Sequence, residues 1–560
     1  MKKKMICGIL LFTILSSMTA CGEKTTATKN TQGSNYHNTS PTQQVETFYE
    51  YEASVDDGYS YTAEAEYDYY SEPYSEPYYE PSYYKNTEKY NTIKETGFSS
   101  ASMSPLSTFG ADVDTASYSN FRRFVEDGYS LSSIPGDAIR TEEMLNYFTY
   151  NYKEPKNGDV FNVSATISDC PWNKEVSLLS LGINTKSVDK REIPPCNIVF
   201  LIDVSGSMSD DNKLPLVTRA INEAMDNFGK DDIISVVTYS SYVTTVLSGV
   251  RGDKKHEIED ALDSLYASGC TNGGEGLKTA YSIAEENFIE DGINRVIICS
   301  DGDFNVGITS EDALYNLISN KKDTGIFLST LGFGMGNYSD VTMETLADNG
   351  NGNYAYIDTY EEAKKVLVEE MTSTLFTVAK DVKFQVEFNP ATVSEYRLVG
   401  YENRSLSAKD FKDDTKDGGE LGAGHQVTVL YEIKLNDGED PYSNLKYQDS
   451  SEEKKELSDK GKSKDEYCTL SIAYKEPDKD TSEYLEYPIG VDNYTKRPDD
   501  DFVFASMVAT TSLALRDSEY LEDYSPKEAL DKVVDTLRDI ELNDEYKEDF
   551  YYLVKLLKNK

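Results

Sequence analysis

The sequence predicts an α/β fold: a doubly wound, mostly parallel sheet inserted into an antiparallel β-rich domain, with a disordered N-terminal stalk and a helical C-terminal region. Three observations carry this. Between about residues 194 and 378, short and nearly all-apolar runs alternate with amphipathic helical segments. On both sides of that block the hydrophobic period changes to two. Toward the two ends the pattern changes again, to a tyrosine-rich polar tract before residue 105 and to helical spacing after residue 490. Strands apolar on both faces must be covered on both, as in a parallel sheet between helical layers.

Residues 1–21 have the layout of a secretory signal. Lys2, Lys3 and Lys4 precede a short apolar core, and small residues lead to Cys21. The core falls short of the roughly 20 apolar residues that span a bilayer. Met18-Thr19-Ala20-Cys21 resembles the bacterial lipobox, with Met18 where Leu is usual. That resemblance implies a lipid-modified Cys21 as the mature N-terminus, anchored to the cell membrane on its extracytoplasmic side. Residues 22–104 are polar and acidic, with Tyr70-Ser71-Glu72-Pro73, Tyr74-Ser75-Glu76-Pro77 and Tyr79-Glu80-Pro81 in succession. Prolines and like charges oppose compaction, so this stretch reads as a stalk.

In the N-terminal flank, 105–193, a helical region is expected over 106–152 with Phe121, Phe124, Met144, Leu145 and Phe148 buried, followed by strands over 161–167 and 176–183. The α/β block, 194–378, should hold strands over 197–202, 233–239, 295–300 and 326–331. Helices should carry Leu214, Val217, Ile221 and Phe228, then Ile258 and Leu262, then residues 276–288, and one capped by Thr309 with Asp312. Alternation returns over 382–388, 396–401, 426–433 and 468–474 within a β-rich segment, 379–490. Few strands precede the α/β block and more follow it, which implies one sandwich built from both flanks. Residues 491–560 should form a small helical cap with Phe502, Val508, Leu513, Val533, Leu537 and Leu553 inside.

With 55 basic against 99 acidic residues the formal charge is −44. Such a surface repels phosphate backbones, so nucleic acid is excluded as a partner. Setting aside Cys7 and Cys21, the five cysteines Cys170, Cys196, Cys270, Cys299 and Cys468 are odd in number and show no CxxC spacing. At least one is unpaired or pairs between molecules, and a zinc cluster is not indicated.

Asp203-Val204-Ser205-Gly206-Ser207 directly follows a buried strand, so its side chains emerge at the carboxyl end of the sheet, where doubly wound folds place ligands. A carboxylate and two hydroxyls at alternate positions are hard oxygen donors. Thr271, before a helix, adds a hydroxyl, and Asp301, at the end of another apolar strand, adds a second carboxylate. Such a set suits Mg²⁺, or Mn²⁺ or Ca²⁺ in its place. Both carboxylates are expected on solvent-facing loops. An EF-hand starting at Asp203 fails, because Met208 and Leu214 stand where Gly and Glu are needed. Gly332-Phe333-Gly334-Met335-Gly336 reads as a tight turn rather than a dinucleotide loop, and Arg251-Gly252-Asp253 as a turn before a helix.

The ordered set Asp203, Ser205, Ser207, Thr271 and Asp301 resembles the metal-ion-dependent adhesion site of the von Willebrand factor type A (VWA) domain, over about residues 197–376. The resemblance implies a Rossmann-like fold in which the matching hydroxyls touch a metal. The matching carboxylates act on it directly or through water, and an acidic side chain of a protein ligand supplies the sixth oxygen. Residues 107–118, 142–148, 292–296, 301–307 and 502–515 are similar to bacterial extracytoplasmic VWA proteins with family-specific flanks. His37, His256 and His425 complete no nucleophile triad. The expected function is therefore metal-dependent partner capture rather than catalysis, on the cell surface or in a periplasm. The alternatives are a structural envelope protein whose metal only stiffens loops, and a metal-assisted hydrolase.

Overall fold

Five apolar strands stand in the order Tyr354–Ile357, Ile326–Phe333, Ile293–Ser300, Cys196–Asp203 and Ile233–Tyr239, all parallel to their neighbours. A sixth, Val243–Arg251, returns antiparallel on the edge beside Ile233–Tyr239. The computed structural model describes residues 88–302, 311–335, 338–416, 418–436, 464–477 and 479–560. Residues 1–87, with the expected signal, Cys21 and most of the expected stalk, lie outside the described residues, as does the expected cap Thr309.

Alternate side chains of Cys196–Asp203 serve two separate cores. Ile198, Phe200 and Ile202 pack with Val217 and Ile221 of helix Leu214–Ala224. Val199 and Leu201 pack with Leu277, Ala280 and Tyr281 of helix Gly273–Glu286 and with Met343 and Leu346 of helix Asp340–Asn349. Covering on both faces explains why the strand carries no polar stripe. Val243–Arg251, by contrast, leaves Thr244, Thr245, Ser248 and Arg251 exposed, as an edge strand can.

Strands from before and after this block share sheets. Phe161–Asp169 pairs with Ser177–Thr185, which pairs with Gln426–Leu435, and Val393–Val399 follows. The facing sheet contains Thr377–Phe388, Glu466–Lys475 and Glu483–Gly490. Leu179, Leu181 and Ile183 from one flank and Phe384, Val386, Val429, Leu470 and Ile472 from the other fill a single core. The α/β block is thus an insertion into a β sandwich.

Two expectations are corrected. Leu106–Gly110, read as the start of a helical region, is a strand paired antiparallel with Thr377–Phe388. Its partner is more than 270 residues away, so no local period could show it. Residues 88–104, assigned to the stalk, pack on the fold: Ser99–Ser100 pairs with Glu395 and Tyr396, and Glu88 binds Arg123 at 2.9 Å. Tyr90 and Phe98 cover the helical core, and that apolar contact offsets the polarity of the segment around them.

The C-terminal helices are also more central than a cap. Helix Asp500–Leu515 is buried on all sides from Phe504 onward and packs with Thr141–Asn146 and Pro526–Leu537. Phe504 meets Phe148 edge-on at 4.8 Å, and Phe550 of helix Glu545–Lys558 meets the same ring at 5.7 Å. Local signals fix the helix starts: Asp499 accepts the Phe502 N–H, and Ser525 forms a capping box with Glu528 ahead of Pro526.

One buried acid gives this core a pH dependence. Glu142, in Thr141–Asn146, accepts the Tyr401 N–H at 2.9 Å through Oε2, and its Oε1 is buried without a hydrogen-bond partner among the described residues. Burial first, then the charges of Glu402 and Asp112, push its pKa from 4.5 up to about 8. The folded state holds a proton there that the unfolded state has released, so this contribution to stability is lost as pH rises from about 4.5 through about 8. Glu142→Gln, which keeps an acceptor for Tyr401, should melt with wild type at pH 4.5 and above it at pH 8.5. Parallel melting curves of the two proteins across that range would show that Glu142 is ionised in the fold.

Candidate metal centre

Asp203 closes strand Cys196–Asp203, and the register Ile202 to Cys299 sets it beside Ser300 at the end of the neighbouring strand. The Ser300 hydroxyl donates to Asp203 Oδ2 at 3.2 Å, and the Ser205 N–H donates to Oδ1 at 2.8 Å. The second bond is a side-chain turn that Asp makes readily. It swings the chain into a 3₁₀ turn, Gly206–Ser209, and brings Ser205 Oγ within 3.1 Å of Ser207 Oγ.

The Thr271 loop is tied to that turn by its backbone. Gly206 N–H donates to the Gly269 carbonyl at 3.0 Å and Ser268 N–H to the Val204 carbonyl at 2.7 Å. Gly269 has φ +81, and a Cβ there would stand 2.6 Å from Ser241 Oγ, whose hydroxyl receives the Cys270 N–H. Only glycine fits this close approach. Asn272 then stands at the N-cap position of helix Gly273–Glu286, leaving Thr271 just ahead of the helix N-terminus.

Asp301 follows strand Ile293–Ser300 and receives the Lys213 ammonium on Oδ2 at 3.1 Å. Asp203 and Asp301 are both fully buried. The expectation that they lie on solvent-facing loops is therefore wrong: the strand ends are sunk beneath the three loops, and only Ser207 of the set is exposed. Burial pushes the Asp203 carboxyl up to about 6, opposed by its Ser205 bonds and reinforced by the nearby Asp301.

Two carboxylates and three hydroxyls, gathered from three loops with one hydroxyl reaching solvent, form a hard-oxygen set. A buried carboxylate whose hydrogen-bond donors are neutral, with a second carboxylate near it, is favoured by a cation. The residues fit a divalent metal: Ser205, Ser207 and Thr271 would offer hydroxyl oxygens, with Asp203 and Asp301 behind them. Among the described residues no group of three or more His, Cys, Asp or Glu is placed to hold an ion, so hydroxyls are what distinguish this site.

Other sequence candidates fall elsewhere. Met208 and Leu214 are core residues, and Arg251 pairs with its own neighbour Asp253. Gly334 turns at φ +79 against the Lys213 stem. His256 is exposed on helix Lys255–Asp263, and His425 Nδ1 accepts the Gly422 N–H at 3.0 Å; His37 lies outside the described residues. All five described cysteines are free, and only Cys270 is exposed. Sequence reasoning missed Ser300 and Lys213. Ser300 stands beside Asp301 at a strand end, where a side chain can reach the site; Lys213 sits in a polar run with no local cue.

Comparison with known proteins agrees with this architecture. The von Willebrand factor type A domain profile matches residues 197–370, a von Willebrand factor profile 84–180, and a profile described as "Uncharacterized protein YfbK, C-terminal" 373–559. The chain is 40% identical over 446 residues to "Uncharacterized protein YfbK" of Escherichia coli (strain K12), covering 78% of this chain and 76% of that one. It is 29% identical over 224 residues to inter-alpha-trypsin inhibitor heavy chain H2 of Mus musculus, covering 37% of this chain but 22% of that protein. Among solved structures it resembles the von Willebrand factor type A protein from Catenulispora acidiphila, at 15% identity and TM-score 0.41, covering 73% of this chain and 91% of that one. VWA domains typically serve protein interaction and adhesion through a divalent-metal site, and their homologues are generally non-enzymatic. With its α/β block carrying this site between flanks shared along most of the chain with the Escherichia coli relative, the protein belongs to the YfbK family of VWA-domain proteins.

Proposed function

We propose that this protein captures an extracytoplasmic protein ligand through a divalent cation, Mg²⁺ in the first place, held by Asp203, Ser205, Ser207, Thr271 and Asp301. The observation that carries the reading is the hydroxyl-rich donor set with Ser207 open to solvent above two buried carboxylates. The three hydroxyls themselves cancel none of the cation's charge, so a bound cation would still draw a carboxylate from a partner. The net charge of −44 opposes an acidic ligand only at long range, since screening confines the field to about 8 Å at physiological salt. The test is retention of a partner from envelope extract with Mg²⁺, with EDTA, and with an Asp203 variant. Equal retention in all three would end the reading and favour a metal that only knits the loops, a role that the burial of both carboxylates also suits.

We further propose that lipid on Cys21 holds the protein to the extracytoplasmic side of the cell membrane. The apolar segment before it is short, and no described helix is long and apolar enough to cross a membrane. Cys21→Ser should abolish labelling by a fatty-acid probe and release the protein from membranes. Unchanged labelling and retention would refute the anchor.

A further inference from the structure

We infer that Lys213 is a built-in counter-cation of the metal site, one that loosens the hold on the metal and leaves the loaded site with charge for one singly charged carboxylate. The inference rests on the metal-site reading above.

Lys213 is buried, and so is the Asp301 carboxylate that its ammonium meets at 3.1 Å. Its position is fixed from two sides. It is the N-cap residue of helix Leu214–Ala224, with its N–H on the Asp210 carbonyl at 2.9 Å and its own carbonyl taking the Val217 N–H at 2.9 Å. Its stem lies against Gly334, where any Cβ would collide with it. Burying an ammonium is costly unless a carboxylate compensates it, so this lysine is held beside the site by design of the backbone rather than by chance of a long side chain.

The two carboxylates of the site are therefore not equivalent. Asp203 is met by the neutral donors Ser205 N–H and Ser300 Oγ, whereas Asp301 is met by a full positive charge. A divalent cation entering here feels attraction from both carboxylates and repulsion from Lys213. Counting those described groups alone, the loaded site carries one net positive charge, which one carboxylate neutralises. Without the ammonium the two aspartates would cancel the metal outright, holding it harder and leaving less field for a ligand.

The experiment is Mn²⁺ titration of the full-length protein, followed by electron paramagnetic resonance of the free ion, on wild type, Lys213→Met, Lys213→Gln and Lys213→Arg. The neutral variants should bind Mn²⁺ at least tenfold more tightly than wild type, and Lys213→Arg should stay within about threefold of it. Mn²⁺ should also raise the melting temperature of the neutral variants by more than that of wild type, because the ion restores a positive charge beside Asp301. If a neutral variant folds only with metal present, its affinity is read by chelator competition from the Mn²⁺-purified protein. Equal or weaker Mn²⁺ binding by both neutral variants would overturn the inference and leave the site standing, with Lys213 reduced to a packing residue. Absence of Mn²⁺ binding by wild type would overturn the site itself.

Discussion

Replacing Arg140 with Met should destabilise the fold by about 3–5 kcal/mol, the usual cost of stranding buried charges by removing their partner. The Arg140 guanidinium reaches Glu143 at 2.8 Å, Asp340 at 2.9 Å and Glu344 at 2.8 Å, and all four residues are buried. Glu143 belongs to the N-terminal flank, whereas Asp340 and Glu344 lie on helix Asp340–Asn349 of the inserted block. Arg140 thus ties the insertion to its host. Arg122, bound to Asp358 and Glu362, and Arg404, bound to Asp112, Asp114 and Asp348, do the same at other points. Urea unfolding of Arg140→Met measures the loss. Adding Glu344→Gln to that variant should restore part of it, because one stranded carboxylate is removed. A loss under about 1 kcal/mol, in the range of exposed ion pairs, would contradict the argument.

Asp203→Asn should abolish cation-dependent capture without weakening the apo fold. The amide keeps the shape and can still accept the Ser205 N–H, but it removes the charge that attracts a divalent ion. Burial already pushes the Asp203 carboxyl up to about 6, so near neutral pH the empty site holds its charge at a cost that the variant escapes. The expected signature has three parts: an apo melting temperature at or above that of wild type, no rise on adding Mg²⁺, and no partner retained from envelope extract. Asp203→Ala loses an acceptor as well, leaving Ser205 N–H and Ser300 Oγ short of a partner at about 1–3 kcal/mol. It is therefore the poorer probe. Retention of the partner by Asp203→Asn at wild-type level would place binding elsewhere on the molecule.

Much of this was legible in order and composition. The all-apolar strands announced a sheet covered on both faces, and Asp203, Ser205, Ser207, Thr271 and Asp301 could be named because each follows its element in a fixed order. Helix starts such as Ser525-Pro526 with Glu528 are local chemistry and show in the sequence. The strand Leu106–Gly110 did not show, because five residues beside a distant partner have no period of their own. The docking of residues 88–104 on the fold was hidden for a similar reason: their polarity is met by single contacts, Glu88 with Arg123 and the Ile93 N–H with Asp137, rather than by a repeating face.

The sequence by itself determined the sheet, its insertion between two flanks, and which oxygen-bearing side chains gather at the carboxyl end of the sheet, since these depend on which residues alternate and which follow a strand. Only the tertiary structure decided how deep the two aspartates lie and which one meets a cation. Depth is set by loops that close over the strand ends from elsewhere in the chain, through Gly206 against Gly269 and Gly302 against Ser339. Lys213 meets Asp301 across 88 positions, and the charge balance of a buried site depends on such distances in space, which a linear pattern does not contain.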